Sequence, residues 1–260
     1  MTLLQYLALL VAAFLGGSVN AIAGGGTVFS FTTLVLAGIP PTVASATNAL
    51  ALWPASVGGA FAFRDDVRRE QRSLLIMLVP SLLGGLGGAW LLTATPEALL
   101  RLLAPFLVLF ATLLFAGRTY FTYLAQRQAG YQASAARISI WSYAGGVVFQ
   151  FVVALYGGYF GAGIGILMLS SFSIMGMKDI HRMNAIKNVC AAALNGIAII
   201  YLALAGKIIW PLALMMGVAA VVGGYVTARY AKRINQRALR IFIIGMGILA
   251  SAYLFWRAMQ

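Results

Sequence analysis

Charge is scarce in this sequence, and negative charge is scarcest. Of 260 residues only 9% are charged, and five of them are acids: Asp65, Asp66, Glu70, Glu97 and Asp179. A soluble domain carries about 25% charge. All five acids fall in expected loops or segment ends. A carboxylate relay for protons, or a carboxylate cage for a cation, is therefore not expected inside the apolar runs. Histidine and cysteine occur once each, as His181 and Cys190. A single cysteine excludes an internal disulfide and a cysteine-based metal site. Cys190 has no histidine to pair with, so neither hydrolysis nor metal chemistry is indicated and no cofactor is called for. The N-terminus lacks the basic region of a cleaved signal peptide, so the first apolar segment reads as a retained span.

Apolar length is what the chain has in abundance. It is 62% hydrophobic, with mean hydropathy +0.93. Several runs reach the ~20 residues that a helix needs to cross a ~30 Å hydrocarbon layer. Apolar segments fall at about 3–22, 27–37, 43–63, 73–92 and 98–117, then 139–157, 160–175, 183–204, 209–228 and 238–256. The expected fold is an all-α polytopic membrane protein with eight full-length spans and two short segments. The short ones, 27–37 and 160–175, adjoin Gly24-Gly25-Gly26 and the cluster Gly157 to Gly165. Pro54, Pro80 and Pro105 lie inside spans, where proline kinks a helix.

The halves resemble each other. Asn48 and Asn188 are 140 residues apart, as are Phe115 and Phe255; Gly84-Gly85 and Gly223-Gly224 are 139 apart. The short segment recurs in the same place. An internal duplication explains these together, with repeats at 1–117 and 138–260 joined by a cytoplasmic linker at 118–137. Charge then orients them. Basic loops at Arg64–Arg72, Arg118–Arg137, Lys178–Arg182 and Arg229–Arg240 hold 14 of the 18 lysines and arginines, while their counterparts in the other half are nearly bare. The positive-inside rule then predicts inverted repeats of about five segments each, with both termini outside. The net charge of +13 is thereby a topology signal, and no nucleic-acid partner is implied.

The stretch Asn184 to Gly196 carries the chemistry. At 100° per residue, Asn184, Asn188 and Asn195 lie within about 40° of one another, with Lys187 about 60° to one side. Lysine snorkelling and asparagine-mediated helix packing are the plain alternatives. The shared face favours a site, with Asn48, Thr47, Ser45 and Ser56 as its first-half partners. Half-helices starting near Gly25 and Gly26, or near Gly163, would turn free N–H groups on a ligand. Donors of this kind suit a small oxyanion or sulfonate. A channel would present similar polar rings. A non-transporting subunit would not need a lysine beside three asparagines. A homodimer is among the arrangements left open.

Gly24-Gly-Gly26, Ala46-Thr-Asn-Ala-Leu-Ala-Leu-Trp-Pro54 and Met183-Asn-Ala-Ile-Lys-Asn-Val-Cys…Leu-Asn-Gly196 resemble the sulfite exporter TauE/SafE family, over about residues 5–255. The resemblance implies a bacterial inner-membrane transporter that exports small sulfur-containing anions such as sulfite or organosulfonates; import of sulfate- or thiosulfate-like anions is the alternative. It carries over Asn48, Lys187, Asn188 and Asn195 as ligands, with Thr47 and Ser56 beside them. Where many members have Thr-Asn-Lys, this chain has Thr47-Asn48-Ala49, so the first-half lysine of that pattern is missing.

Overall fold

The structure, a computed structural model, describes residues 1–22, 26–62, 71–132, 140–175, 177, 179–230 and 236–258. Ten helices are present among them: α1 Leu3–Ile22, α2 Thr27–Leu36, α3 Pro41–Ala62, α4 Gln71–Ala94, α5 Glu97–Gln132, α6 Ile140–Tyr159, α7 Ile164–Ile174, α8 Ile180–Leu204, α9 Trp210–Tyr230 and α10 Gln236–Ala258. Each expected apolar segment is a helix, and the two expected short ones are α2 and α7, of 10 and 11 residues. Of the eight full-length spans expected, five meet both the length and the hydropathy of a crossing helix among the described residues: α1, α4, α5, α8 and α9. α3 has 22 residues, but Thr42, Ser45, Thr47, Asn48 and Ser56 dilute its apolar run. α6 and α10 carry shorter apolar stretches, Ala144–Tyr159 and Ile241–Arg257.

α5 also departs from expectation. Its 36 residues span about 54 Å at ~1.5 Å per residue, well beyond a ~30 Å hydrocarbon layer. Residues 118–132, read from sequence as linker, continue this helix.

The helices interlock across the middle of the chain. α4 packs on α6 and α8, whereas α9 packs on α1 and α3. Each half thus gives its fourth helix to the other. α3 and α8 cross each other, α5 lies along α10, and the short helices tuck in: α2 against α1 and α3, α7 against α6, α5 and α8.

Glycine makes the exchange possible. Where α1 meets α9, a β-carbon on Gly17 would overlap the carbonyl of Ala220, and one on Gly223 the carbonyl of Phe14. Ser18 adds a hydroxyl bond to the Gly223 carbonyl at 3.1 Å. Where α4 meets α6, Gly88 abuts the Leu155 carbonyl and Gly158 that of Gly85. Small residues at close crossings are how membrane helices associate when burial of apolar surface supplies no driving force. Large apolar side chains point outward on many helices, among them Leu4, Trp90, Leu113, Val148, Leu204, Val218 and Ile241, as a lipid-facing surface requires.

Candidate functional site

The α3–α8 crossing organises the polar residues. The indole Nε1 of Trp53 donates to the Ala192 carbonyl at 2.9 Å. Its ring lies over Gly196, where a β-carbon would sit 3.4 Å from the ring edge. Six residues earlier on α3, Thr47 Oγ1 accepts from the backbone N–H of Ile209 at 3.2 Å, just past the end of α8. The two helices are therefore antiparallel. The Asn48 side of α3 meets the C-terminal end of α8, while Lys187 and Asn188 lie beyond Trp53 in the other direction. At ~1.5 Å per residue, Asn48 and Lys187 stand roughly 15 Å apart along the crossing. The structure places these candidates in two groups with Trp53 between them.

In the first group, Thr47 is fully buried and Asn48 is 2% exposed. Asn48 Oδ1 is sealed from solvent with no hydrogen-bond partner among the described residues. An orphaned buried amide oxygen costs about 1–3 kcal/mol, which is not what a packing asparagine is for. Ser45 Oγ donates to the Tyr159 carbonyl at 3.4 Å. Ser56 lies half-buried on the far side of Trp53.

In the second group, Lys187 is half-buried. Its Nζ donates to Asn184 Oδ1 at 2.9 Å, and its stem runs against Gly165, whose β-carbon position is 3.4 Å from Lys187 Cδ. Gly165 is in the first turn of α7. That helix starts behind Gly163, which adopts φ +79°, and no side chain caps it. Gly161 has φ +82°. Two left-handed residues this close break the α6–α7 backbone, and glycine tolerates that conformation best. Lys187 is thus set beside the positive end of a half-helix, an arrangement that favours anions. Asn188 is half-buried. Asn195 turns back to donate to the Ala191 carbonyl of its own helix at 2.8 Å, so its amide N–H is engaged locally.

Gly25 lies outside the described residues. Gly26 caps α2 with φ −59°, and a β-carbon there would overlap the Gly16 carbonyl. Close packing of α2 on α1 accounts for it. The pair with a genuine backbone break is Gly161 and Gly163.

Sequence reasoning places Gln150 inside the bundle but does not find its partner, and it does not find the partner of Glu97. Gln150 is buried in α6 and donates through Nε2 to Ser81 Oγ in α4 at 2.9 Å, leaving Oε1 without a partner. Glu97, expected at a loop end, has Oε2 bound by the Thr42 hydroxyl at 2.6 Å and Oε1 buried. A nearby hollow of ≈ 10 Å³, room for about one water, is lined by Phe31, Pro41, Ser45, Leu100, Tyr159 and Phe160 among others. It is mostly apolar and borders the first group, not Lys187. Only tertiary pairing brings these partners together, 55 and 69 residues apart, so no local pattern signals them.

An all-helical multi-pass bundle with half-length helices, buried amides and a lysine held between helices has the architecture of a membrane transporter. The chain belongs to the sulfite exporter TauE/SafE family, whose model matches residues 9–254. Its relatives run the length of both chains. A probable membrane transporter protein, ORF9, of Sinorhizobium sp. is 26% identical over 92% of this chain and 88% of its own. The probable membrane transporter protein YfcA of Escherichia coli K12 is 26% identical over 95% and 88%. One from Haemophilus influenzae is 23% identical over 94% and 92%. No solved structure matches the chain.

Proposed function

We propose that this transporter exports small sulfur-containing anions, such as sulfite or organosulfonates, across a bacterial inner membrane by alternating access. The observation that carries the reading is Lys187 lying against the uncapped first turn of α7. A cation, amides and free backbone N–H groups together replace the water that an oxyanion gives up. Two inverted repeats account for the exchange of α4 and α9, because each pairing in one half has its counterpart in the other: α4 with α6 and α9 with α1, α4 with α8 and α9 with α3. In such a carrier Asn48 and Lys187 serve opposite ends of one path, and Trp53 stands between them.

The membrane potential supplies the drive. Moving one charge through ~100 mV is worth ~2.3 kcal/mol, which supports an outward gradient of roughly 50-fold at ~1.4 kcal/mol per tenfold.

The test is counterflow of labelled sulfite and short sulfonates in proteoliposomes. Saturable exchange is expected, and Lys187→Ala should lower it at least ~100-fold, the scale of losing a charge-assisted contact of about 3 kcal/mol, while the thermal unfolding midpoint stays put. Unaltered exchange in Lys187→Ala would remove the lysine from the path. Absence of exchange for every such anion would sink the substrate class.

A further inference from the structure

Gln150 of α6 is fully buried. Its Nε2 donates to Ser81 Oγ of α4 at 2.9 Å. Ser81 gives its own proton to the Met77 carbonyl at 2.6 Å, so toward Gln150 it can only accept. That fixes the amide: the NH2 faces Ser81 and Oε1 points away from it. Oε1 is shut off from solvent and meets no donor among the described residues.

This oxygen belongs to the neighbourhood of Lys187. The Cys190 side chain of α8 faces the same Ser81. Cys190 is three residues on from Lys187, about 4.5 Å along the axis at ~1.5 Å per residue, which puts the amide about one helical turn from Lys187 in depth. Met77, Val153, Met168, Ile186 and Cys190 share one apolar cluster there, so α4, α6, α7 and α8 meet at this level. The first turn of α7 is the one that Lys187 lies against. The other polar group repeats the feature, because Asn48 Oδ1 is likewise buried without a donor.

An amide oxygen held this way discriminates between anions. A plain alkanesulfonate or fully ionised sulfite offers acceptors only. Beside Oε1 it leaves that oxygen dry and unbonded. A solute with a sulfonate at one end and a hydroxyl at the other presents its charge to Lys187 and its O–H to the amide. A site that holds a polar atom for a hydroxyl rejects the analogue lacking it, since the buried atom is then left unpaired.

We propose that Gln150 is a specificity-determining residue of this transporter, and that the solute it selects is a short hydroxyalkanesulfonate. The proposal rests on the transport reading above and narrows its substrate class. Oε1 accepts the solute's hydroxyl proton when the α4–α6–α8 junction opens to it, and Ser81 positions the amide for that bond.

The test uses the full chain in detergent. Three sulfonates of equal charge and similar size, 2-hydroxyethanesulfonate, 2-methoxyethanesulfonate and propane-1-sulfonate, are titrated against the thermal unfolding midpoint, which a ligand raises by mass action. The hydroxy compound should half-saturate at about tenfold lower concentration than either of the others. The methoxy compound keeps the oxygen and loses the donor, so it separates donation from polarity. Gln150→Met keeps the volume and discards the amide, and should bring all three within about twofold of one another. Where that variant does not fold, Gln150→Asn, which withdraws the amide by one methylene, should lower the preference in the same direction. Equal binding of the three by the native chain, or a tenfold preference that survives in the folded variant, overturns the proposal. Exchange of the same sulfonates in proteoliposomes is read separately. Exchange of all three alike sinks the donor preference and leaves transport standing, whereas preferential binding without exchange does the reverse. A chain that neither binds nor exchanges any of them sinks both.

Discussion

Asn48 shows what a single buried amide discloses. Its side chain is 2% exposed, and its carbonyl oxygen finds no donor. A structural asparagine would be selected for satisfied bonds, because each unsatisfied buried acceptor costs about 1–3 kcal/mol. Asn48→Ala discards that oxygen along with the amide, so stability should fall little; we expect a change in unfolding free energy of less than about 1 kcal/mol by thermal unfolding in detergent. Anion exchange in proteoliposomes should drop at least tenfold, since the donor or acceptor that Asn48 offers a passing solute is gone. A large loss of stability with exchange preserved would make Asn48 a packing residue after all. The contrast with Asn195 is instructive. It shares a helical face with Asn184 and Asn188 in sequence, yet its Nδ2 bonds back to Ala191 at 2.8 Å. Periodicity reports which face a residue lies on, and nothing about whether its polar atoms are already spoken for.

At the scale of elements, the helices were legible because each follows an apolar run ended by a loop, a glycine break or a proline. α2 and α7 were legible as short segments for that reason. α5 was not, because Arg118 to Gln132 are polar and still helical; polarity distinguishes lipid from water, not helix from coil. The glycines split along similar lines. Gly84, Gly85, Gly88 and Gly223 stand at close crossings, as small-residue packing requires, while Gly58 has nothing within 4 Å of its β-carbon position. Composition cannot tell these apart, because the difference lies in the opposing helix. The structure therefore separates two otherwise similar substitutions. Gly58→Ala should be tolerated and gain up to about 1 kcal/mol from helix propensity. Gly88→Ala drives a methyl into the Leu155 carbonyl, and overpacking of a tight contact costs about 1–3 kcal/mol or more. Melting curves of the two purified variants should move in opposite directions.

At the scale of the molecule, the exchange of α4 and α9 outweighs any local feature. Matching residue spacings in the two halves suggest two bundles side by side, one per half. Instead α4 leaves its own half to lie on α6 and α8, and α9 leaves its own to lie on α1 and α3. The sequence sets Asn48 and Asn188 140 residues apart, but does not say which half each fourth helix would join, because glycine-rich faces fit either partner equally well in a linear reading. The physical consequence is that neither half owns a complete set of contacts. Residues 1–132 alone would leave the Gly84–Gly88 face of α4 and the Gly17 face of α1 without the backbones they press against. A lone half therefore loses two crossings whose β-carbon-free approach leaves no substitute packing, and lipid is a poor filler for a groove that narrow. Cutting the chain within 133–139 and producing the two pieces separately should give protease-sensitive material with no cooperative melt. Producing them together in one membrane should restore a complex that copurifies through a tag on either piece and regains anion exchange. If each half instead folded alone to a protease-resistant form, the halves would be independent bundles and the interlocked arrangement would be wrong.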